Sequence, residues 1–356
     1  MKKTKRTVVT GHDSNYIYPW MLMARSFADS TTGNCRMIAG NMNSSLRAQD
    51  INFMRSYAEY LDVKLEILDL TMPPDLVLQL GKSMNGYFSL LFLDVLNEDF
   101  VWLDSDLILK PGWEKIFDKP RSKALASKTV IRAVPDRQVT VGQLRKKGTN
   151  GAFLLNADNY FNCGMMWLSP KNWKKFKFDS QWQDVIRSGP KLGLEFIDQD
   201  ILNYLLHDNV ELIPKEFNYM PGDFYIPEPL ITHFAGYPKP WVMSPKAKAM
   251  YFAREAINWN RPQFRPSREG AFKSEYLDYW RQEDEMLSEL KADRPELYEE
   301  AIKRKKEITA DLNLQERLKY LLMQLVTVEF QNLLTRNRHV LTGVQRDLWN
   351  DYSPGN

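Results

Sequence analysis

The feature that most constrains the fold is a regular alternation of short apolar segments with segments of helical periodicity over the first hundred residues. Each apolar segment has the length of a short strand that is buried on both faces. The longer segments place apolar residues three and four positions apart, as in an amphipathic helix. Repeated strand–helix units predict a parallel sheet with helices on both faces. The predicted strands are 7–10, 36–39, 65–68 and 100–103, and the predicted helices are 18–27, 46–61 and 87–96.

Two aspartates, Asp104 and Asp106, follow the fourth predicted strand directly. In open α/β folds, ligands bind at this end of the strands. Two carboxylates at this spacing can hold a hard divalent cation, which would bridge to phosphate oxygens. A bare Asp-x-Asp pair is, however, more often a polar strand end in which one aspartate caps a turn. The rest of the chain must therefore supply the other parts of a metal–phosphate site.

The composition indicates a soluble globular protein without a dominant nucleic-acid surface. Apolar residues make up 44% and charged residues 26% of the 356 residues, and the net charge is only +3. Two cysteines, Cys35 and Cys163, exclude a disulfide framework and fit a reducing cytosol. The basic first ten residues lack the apolar core of a signal peptide, and no stretch reaches the roughly 20 apolar residues of a membrane span. These observations predict a cytoplasmic protein.

The second half of the chain changes character twice. Residues 136–160 are polar and predict a loop or lid, whereas 161–168 predict a strand and 196–206 a short helix. Residues 231–241 predict a loop punctuated by glycine and proline. Residues 266–356 are rich in Glu, Lys, Arg and Leu at helical spacing. Packing of this helical region on the core is the default hypothesis. An oligomer interface is an open alternative. Peripheral contact with the inner membrane face also stays open, because the region carries the basic residues Lys319, Arg336 and Arg338.

Four further segments resemble the motifs of one family. His233 to Trp241 matches His-x-x-Gly-x-x-Lys-Pro-Trp at every specified position, and this motif is highly specific. The other three are a Phe-Asn-x-Gly strand, an Asp-Gln-Asp helix start and an Asp-x-Asn-Tyr turn after the first strand. With the Asp-x-Asp pair, and in the same order along the chain, they resemble the retaining glycosyltransferases of family 8. The three segments are Phe161–Gly164, Asp198–Asp200 and Asp13–Tyr16.

The resemblance implies an α/β fold of the GT-A type, which is a Rossmann-like mixed sheet flanked by helices, here with a C-terminal α-helical extension. Residues 1–265 would form the nucleotide-sugar-binding catalytic domain and residues 266–356 the helical region. The implied reaction is the transfer of a hexose, with retention, from UDP-galactose or UDP-glucose to a hydroxyl of a glycan or glycolipid acceptor.

The resemblance also implies a metal and diphosphate site. Asp104, Asp106 and His233 would hold Mn²⁺, and their mixed oxygen and nitrogen set suits Mg²⁺ less well. Lys239 would meet the diphosphate as a point charge. Gly236 would let the backbone approach phosphate oxygens closely.

The turn after the first strand would bind the uridine. Asp13 and Asn15 would bind the edge of the base, and Tyr16 would stack on the uracil. An Asx turn that caps the following helix is a structural alternative for the same residues, and both roles are compatible. We expect a structural role for Asn218. The remaining donor-site residues implied by the resemblance are Ser105, Asn162 and Gly164.

Gln199 would lie near the anomeric carbon. A glutamine is a poor nucleophile, so it favours a front-face route through an ion-pair transition state. Asp198 as the nucleophile of a double displacement is the less favoured alternative. One departure from the resemblance is Ser89, which stands where the family usually has an arginine. It leaves open a catalytically weak nucleotide-sugar-binding protein. A metal-dependent phosphohydrolase is less favoured, because its Asp-x-Asp pair usually follows the first strand.

Overall fold

The computed structural model describes residues 6–80, 86–118, 123–136, 160–192, 197–221, 226–235, 239–242 and 268–310. Within these ranges the chain forms a seven-stranded sheet with helices on both faces and a separate two-stranded sheet. The strands are β1 (Arg6–Gly11), β2 (Cys35–Met42), β3 (Leu65–Leu70), β4 (Phe100–Leu103), β5 (Leu107–Leu109), β6 (Ile131–Pro135), β7 (Phe161–Leu168), β8 (Val210–Leu212) and β9 (Ile231–His233). The α-helices are α1 (Ile17–Ser30), α2 (Ala48–Tyr60), α3 (Pro74–Leu80), α4 (Phe88–Val95), α5 (Lys123–Ala126), α6 (Pro170–Lys175), α7 (Trp182–Leu192), α8 (Ile197–Leu205), α9 (Arg268–Asp293) and α10 (Pro295–Ala310).

The parallel half of the larger sheet is the part that the strand–helix alternation predicts. The strand order is β3-β2-β1-β4-β7-β6-β8, and the first four of these strands run parallel. Val8 and Val9 have no solvent exposure, although neighbouring residues of a strand point to opposite faces. Val8 packs in a core cluster with α1 and α2, and Val9 packs in a second cluster with α4 and α8. Burial on both faces explains why these strands are apolar throughout.

The other half of the sheet makes it mixed. β7 runs antiparallel to both β4 and β6, whereas β8 runs parallel to β6. The mixed sheet implied by the resemblance is therefore confirmed, and the alternation alone predicts only its parallel half. β7 lies between β4 and β6, and Asn162 and Gly164 belong to the part of β7 that precedes its pairing with β4.

The two-stranded sheet was not predicted. Ile231, Thr232 and His233 form β9, which pairs antiparallel with β5, so the prediction of a loop over 231–241 is wrong for these three residues. The β-branched side chains of Ile231 and Thr232 favour an extended backbone, and both residues are buried. The pairing sets Leu107 opposite His233 and so brings the His233 segment beside the Asp-x-Asp pair.

The helices α9 and α10, here called the C-terminal hairpin, pack on α1 and α2. Their buried side chains join the same core cluster as Val8 of β1. Residues 275–301, which include those side chains, therefore contact the core. None of the helices within the described ranges is long and apolar enough to cross a membrane. Residues 137–159 of the predicted loop or lid lie outside the described residues. Residues 311–356, which contain the basic residues Lys319, Arg336 and Arg338, also lie outside them. The buried apolar residues of the hairpin are Tyr276, Leu277, Tyr279, Trp280, Met286, Leu290, Leu297 and Ala301.

Candidate active site

Asp104, Asp106 and His233 converge where β4, β5 and β9 meet. Asp104 follows β4, Asp106 precedes β5, and His233 ends β9. Nε2 of His233 lies 3.4 Å from Oδ1 of Asp106 and 3.8 Å from Oδ2 of Asp104. One potential ligand atom from each residue lies within 4.8 Å of the other two. The structure thus brings together the three residues that the resemblance implies as metal ligands, and their oxygen and nitrogen atoms fit a divalent cation.

His233 is oriented by the amide of Asn218. Nδ1 of His233 lies 3.0 Å from Oδ1 of Asn218, while Nδ2 of Asn218 donates to Oδ1 of Asn162 at 2.8 Å. The amide oxygen therefore accepts from Nδ1–H, so Nε2 is the ring nitrogen that faces the two aspartates. The structural role expected for Asn218 is the orientation of this imidazole.

Gly164 provides the space that the imidazole occupies. A Cβ atom at this position would lie 2.1 Å from Cε1 and 2.5 Å from Nδ1 of His233. The backbone of Gly164 also accepts from the backbone N–H of Asp104 at 2.9 Å. Gly164 thus contacts two residues of the carboxylate–imidazole cluster, a packing role that the sequence did not indicate.

Lys239 forms an ion pair with one of the two aspartates. Its ammonium lies 2.5 Å from Oδ2 of Asp106 and donates to the carbonyl of Phe234 at 2.8 Å. Burial alone would raise the pKa of Asp106, but Lys239 and His233 outweigh it and hold this pKa well below its ordinary value. Desolvation, followed by the charge of Asp106, raises the pKa of Asp104 to about 7. The pKa of Asp104 therefore lies well above that of Asp106. Gly236 lies outside the described residues.

The turn after β1 combines a local cap with an accessible ring. The carboxylate of Asp13 accepts from the backbone N–H of Asn15 at 2.9 Å, which is the Asx turn expected as the structural alternative. Tyr16 is 39% exposed, and its ring lies edge-on to Trp241, with 6.3 Å between the centroids. The turn and the Lys239 segment therefore border the same part of the site.

His12 connects this turn to the Asp-x-Asp pair. Its Nδ1 lies 3.2 Å from Oγ of Ser105, and both side chains are buried. Burial lowers the pKa of His12 to about 3, so the ring is neutral. The contact fixes Ser105 between the two aspartates, and the sequence assigned no role to His12.

Gln199 is held by hydrogen bonds at both ends of its amide. Oε1 accepts from the backbone N–H of Cys163 and from Nδ2 of Asn162, each at 3.2 Å. Nε2 donates to Oδ2 of Asp136 and to the hydroxyl of Tyr160, each at 3.1 Å. Asp136 and Tyr160 are functional candidates that the sequence missed, because they delimit a polar segment that was interpreted only as a loop. A carboxylate directly after β6 is the signal that could have indicated Asp136.

Asp198 and Ser89 contact each other. Oγ of Ser89 lies 3.4 Å from Oδ2 of Asp198. Desolvation, followed by the charge of Asp104, raises the pKa of Asp198 well above its ordinary value. Ser89 therefore provides a weak hydroxyl donor to a carboxyl that favours its neutral form.

The sequence also matches a known protein family. Residues 8–244 match the family model described as Glycosyl transferase family 8. The chain belongs to this family. The match begins within β1, contains β2 to β9 and every proposed site residue, and ends before the C-terminal hairpin. The family resemblance is thereby confirmed.

Among relatives of known activity, the lipopolysaccharide 1,2-glucosyltransferase of Escherichia coli is 23% identical over 176 residues. The match covers 44% of this chain and 49% of that protein, so the chain spans about half the length of its curated relative.

Two solved structures show the same fold. LgtC, a galactosyltransferase in complex with donor and acceptor sugar analogs, has a TM-score of 0.52 and 17% identity, covering 73% of this chain and 98% of LgtC. The bifunctional glycosyltransferase WbbM has a TM-score of 0.52 and 19% identity, covering 68% of this chain and 47% of WbbM. The GT-A type fold of this family 8 chain is confirmed by these likenesses.

Proposed function

We propose that this family 8 chain is a Mn²⁺-dependent retaining glycosyltransferase. It would move a hexose from UDP-galactose or UDP-glucose to a hydroxyl of a glycan or glycolipid. The observation that carries the proposal is the cluster of Asp104, Asp106 and His233, with the ammonium of Lys239 only 2.5 Å from Asp106. Metal ligands and a diphosphate-binding cation would thus share one end of the sheet. Mg²⁺ is the alternative ion, although the imidazole favours Mn²⁺.

The metal would be held by the two carboxylates and by Nε2 of His233. When bound, such a cation neutralises the charge that develops on a departing diphosphate. Lys239 would add a second positive charge on the same side. Its position supports this role, because its ammonium already lies beside an anionic oxygen of the site.

The rest of the donor would lie across the turn and β7. We assign the uridine to Asp13, Asn15 and Tyr16, and the ring of Tyr16, which is 39% exposed, would stack on the uracil. Asn162 would contact the transferred sugar, with Ser105 and Gly236 near the diphosphate. We assign Gly164 an indirect part in donor binding through the position of His233.

The chemical step would take place beside Gln199. The hydrogen bonds at both ends of its amide favour a fixed orientation, and a neutral amide is a poor nucleophile. In the front-face route, the bond between the anomeric carbon and the diphosphate oxygen breaks, and the acceptor oxygen bonds to the same face. The departing diphosphate takes the acceptor proton. Asp198 is a poorer candidate nucleophile, because its raised pKa favours the neutral acid.

The proposal is tested by measuring UDP release from a panel of UDP-sugars with and without Mn²⁺ and with candidate acceptors. We expect one UDP-hexose to be turned over and Asp106→Asn to lower the rate by about a hundredfold or more. His207 and Asp208 form a matched control, because they are an exposed imidazole–carboxylate pair at 3.2 Å. Asp208→Asn should leave the rate unchanged. An Asp106→Asn variant with the wild-type rate would refute the metal site.

A second outcome would favour binding without catalysis. Ser89 gives this alternative its support, because it offers Asp198 only a 3.4 Å hydroxyl contact. Binding of UDP measured by calorimetry, with no turnover of any UDP-sugar, would favour a nucleotide-sugar-binding protein. Hydrolysis of simple phosphomonoesters would instead favour a phosphohydrolase.

A further inference from the structure

The C-terminal hairpin contacts the segments that form the proposed donor site. We propose that Trp280 of α9 is a positioning residue for Lys239, so that the hairpin completes the diphosphate-binding side of the site. This inference rests on the proposed function. It concerns residues beyond 244, where the match to the family ends.

The first contact is a buried hydrogen bond to the residue that follows Lys239. Nε1 of Trp280 donates to the carbonyl of Pro240 at 3.0 Å, and Trp280 has no solvent exposure. Pro240 has a fixed φ and begins a short 3₁₀ turn to Val242. A hydrogen bond to this carbonyl therefore fixes the backbone immediately after Lys239.

The second contact is a group of aromatic rings on both sides of Lys239. The ring of Tyr279 lies 5.1 Å from that of Phe234 and 6.2 Å from that of Trp241, between centroids. Phe234 supplies the carbonyl that binds the Lys239 ammonium, and the ring of Trp241 lies 5.6 Å from the same ammonium. Tyr279 on α9 thus packs against Phe234 and Trp241, the two residues that contact the Lys239 ammonium.

The hairpin is itself anchored by buried charges. Nη1 of Arg304 donates to Asp50 at 2.5 Å, and both side chains are almost completely buried. Asp50 also accepts from the hydroxyl of Ser14 at 2.5 Å, within the turn assigned to the uridine. On α9, the buried Glu283 accepts from Tyr18 at 2.8 Å and from Lys305 at 2.7 Å. The hairpin therefore has a defined position relative to the turn and to Lys239 together.

Loss of the Trp280 hydrogen bond should weaken binding of the diphosphate and not of the nucleoside. Trp280→Phe keeps an aromatic ring but removes the N–H group, which leaves the Pro240 carbonyl without this donor. Because Lys239 would contact the diphosphate and not the nucleoside, we expect the dissociation constant for UDP in the presence of Mn²⁺ to rise about three- to tenfold. The affinity for uridine should not change.

Two controls separate positioning from general destabilisation. Glu289→Gln removes a half-exposed ion pair between the same helix and Arg25, at 2.8 Å, and should leave UDP binding unchanged. In a Lys239→Met background, Trp280→Phe should have no further effect on UDP binding, because the residue through which it acts is gone. Equal weakening of UDP and uridine, or full additivity with Lys239→Met, would overturn the proposal.

A measurement without nucleotide keeps the inference separate from the proposed function. The acetylation rate of Lys239 can be followed by mass spectrometry, with the half-exposed Lys303 as internal reference. Lys239 is only 12% exposed, so its release in Trp280→Phe should raise the rate several-fold. If the wild-type protein binds no UDP, the proposed function fails, while an unchanged acetylation rate would overturn the positioning role itself.

Discussion

Gly164 lies directly beneath the imidazole of His233. A Cβ atom at position 164 would come within 2.1 Å of Cε1 and 2.8 Å of Nε2 of that ring, far closer than carbon atoms approach in proteins. Asn218 holds the Nδ1 side of the ring at 3.0 Å. The imidazole therefore has one position in which it fits, and in that position Nε2 faces Asp104 and Asp106.

We expect Gly164→Ala to displace this ring and weaken Mn²⁺ binding by about ten- to a hundredfold, the range typical of losing a residue that orients a metal ligand. Calorimetric titration with Mn²⁺ measures the effect. In a His233→Ala background the added methyl group meets an empty space, so Gly164→Ala should then cost no stability in thermal unfolding. Mn²⁺ binding by Gly164→Ala at the wild-type affinity would contradict this account.

The raised pKa of Asp104 predicts that Mn²⁺ binding depends on pH. A carboxylate must lose its proton to bind the metal, so protonation of Asp104 should by itself lower the apparent affinity about tenfold for each pH unit below the pKa of about 7. The low pKa of Asp106 contributes no change in this range. Without metal, the folded state keeps the Asp104 proton above the ordinary pKa near 4, so the free energy of unfolding decreases as pH rises from there to about 7.

The stabilisation by Mn²⁺ should accordingly be larger at about pH 8 than at about pH 6. Thermal unfolding with and without Mn²⁺ across this range measures it. Titrations in two buffers of different ionisation enthalpy should also detect the release of a proton. Asp104→Asn removes the titrating group, and a variant that retained the same pH dependence would show that another residue is responsible.

Parts of the fold that depend on local pattern could be predicted from the sequence. Strands buried on both faces, such as the one that contains Val8 and Val9, are apolar throughout, and intervening helices impose a parallel order. β5 and β9 could not be predicted, because three residues are too few for a period-two pattern. Their pairing depends on an encounter between segments more than a hundred residues apart.

In the candidate site, too, residues that belong to local motifs could be predicted, whereas contacts between distant segments could not. Asp104, Asp106 and His233 could be identified because each belongs to a motif. The amide of Asn218 and the space at Gly164 become meaningful only once β7 and β9 lie together. The contact of Trp280 with Pro240 joins residues 40 positions apart, and no periodicity encodes it.

The buried ion pair between Arg304 and Asp50 should contribute to stability. Arg304→Met keeps the volume but leaves Asp50 with Arg47 as its remaining charged partner. We expect a loss of about 3 kcal/mol in denaturant unfolding at neutral pH, at the lower end of the cost of breaking a buried pair. Arg187→Met removes exposed ion pairs with Asp75 and Asp184 and should change stability little.

The difference between Arg304→Met and the wild type should shrink in acid. Burial would raise the pKa of Asp50, but hydrogen bonds from Arg47, Ser14 and Arg304 hold it well below its ordinary value. The stability that this low pKa provides is present above the ordinary pKa near 4 and is lost as pH falls through the folded-state value. A difference that did not decrease below about pH 4 would show that Arg304 stabilises through packing on Phe53 instead.

The orientation of the Gln199 amide depends on hydrogen bonds of its nitrogen as well as of its oxygen. Gln199→Glu would place a carboxylate oxygen where Nε2 now donates to Asp136 at 3.1 Å, so two acceptors of like charge would face each other. We expect lower thermal stability and a loss of about a hundredfold in UDP-sugar turnover, because the side chain would leave its present position.

The matched test removes the repulsion between the carboxylate introduced at position 199 and that of Asp136. Asp136→Asn in the Gln199→Glu background supplies an N–H donor opposite the new carboxylate and restores a single negative charge. The melting temperature should then recover most of its loss, and turnover should recover in part, since Cys163 and Asn162 can still donate to residue 199. A double variant that is no more stable than Gln199→Glu alone would mean that Asp136 does not hold this side chain. The orientation of Gln199 would then depend on the hydroxyl of Tyr160, which is fixed by its own 2.7 Å hydrogen bond to Asp200.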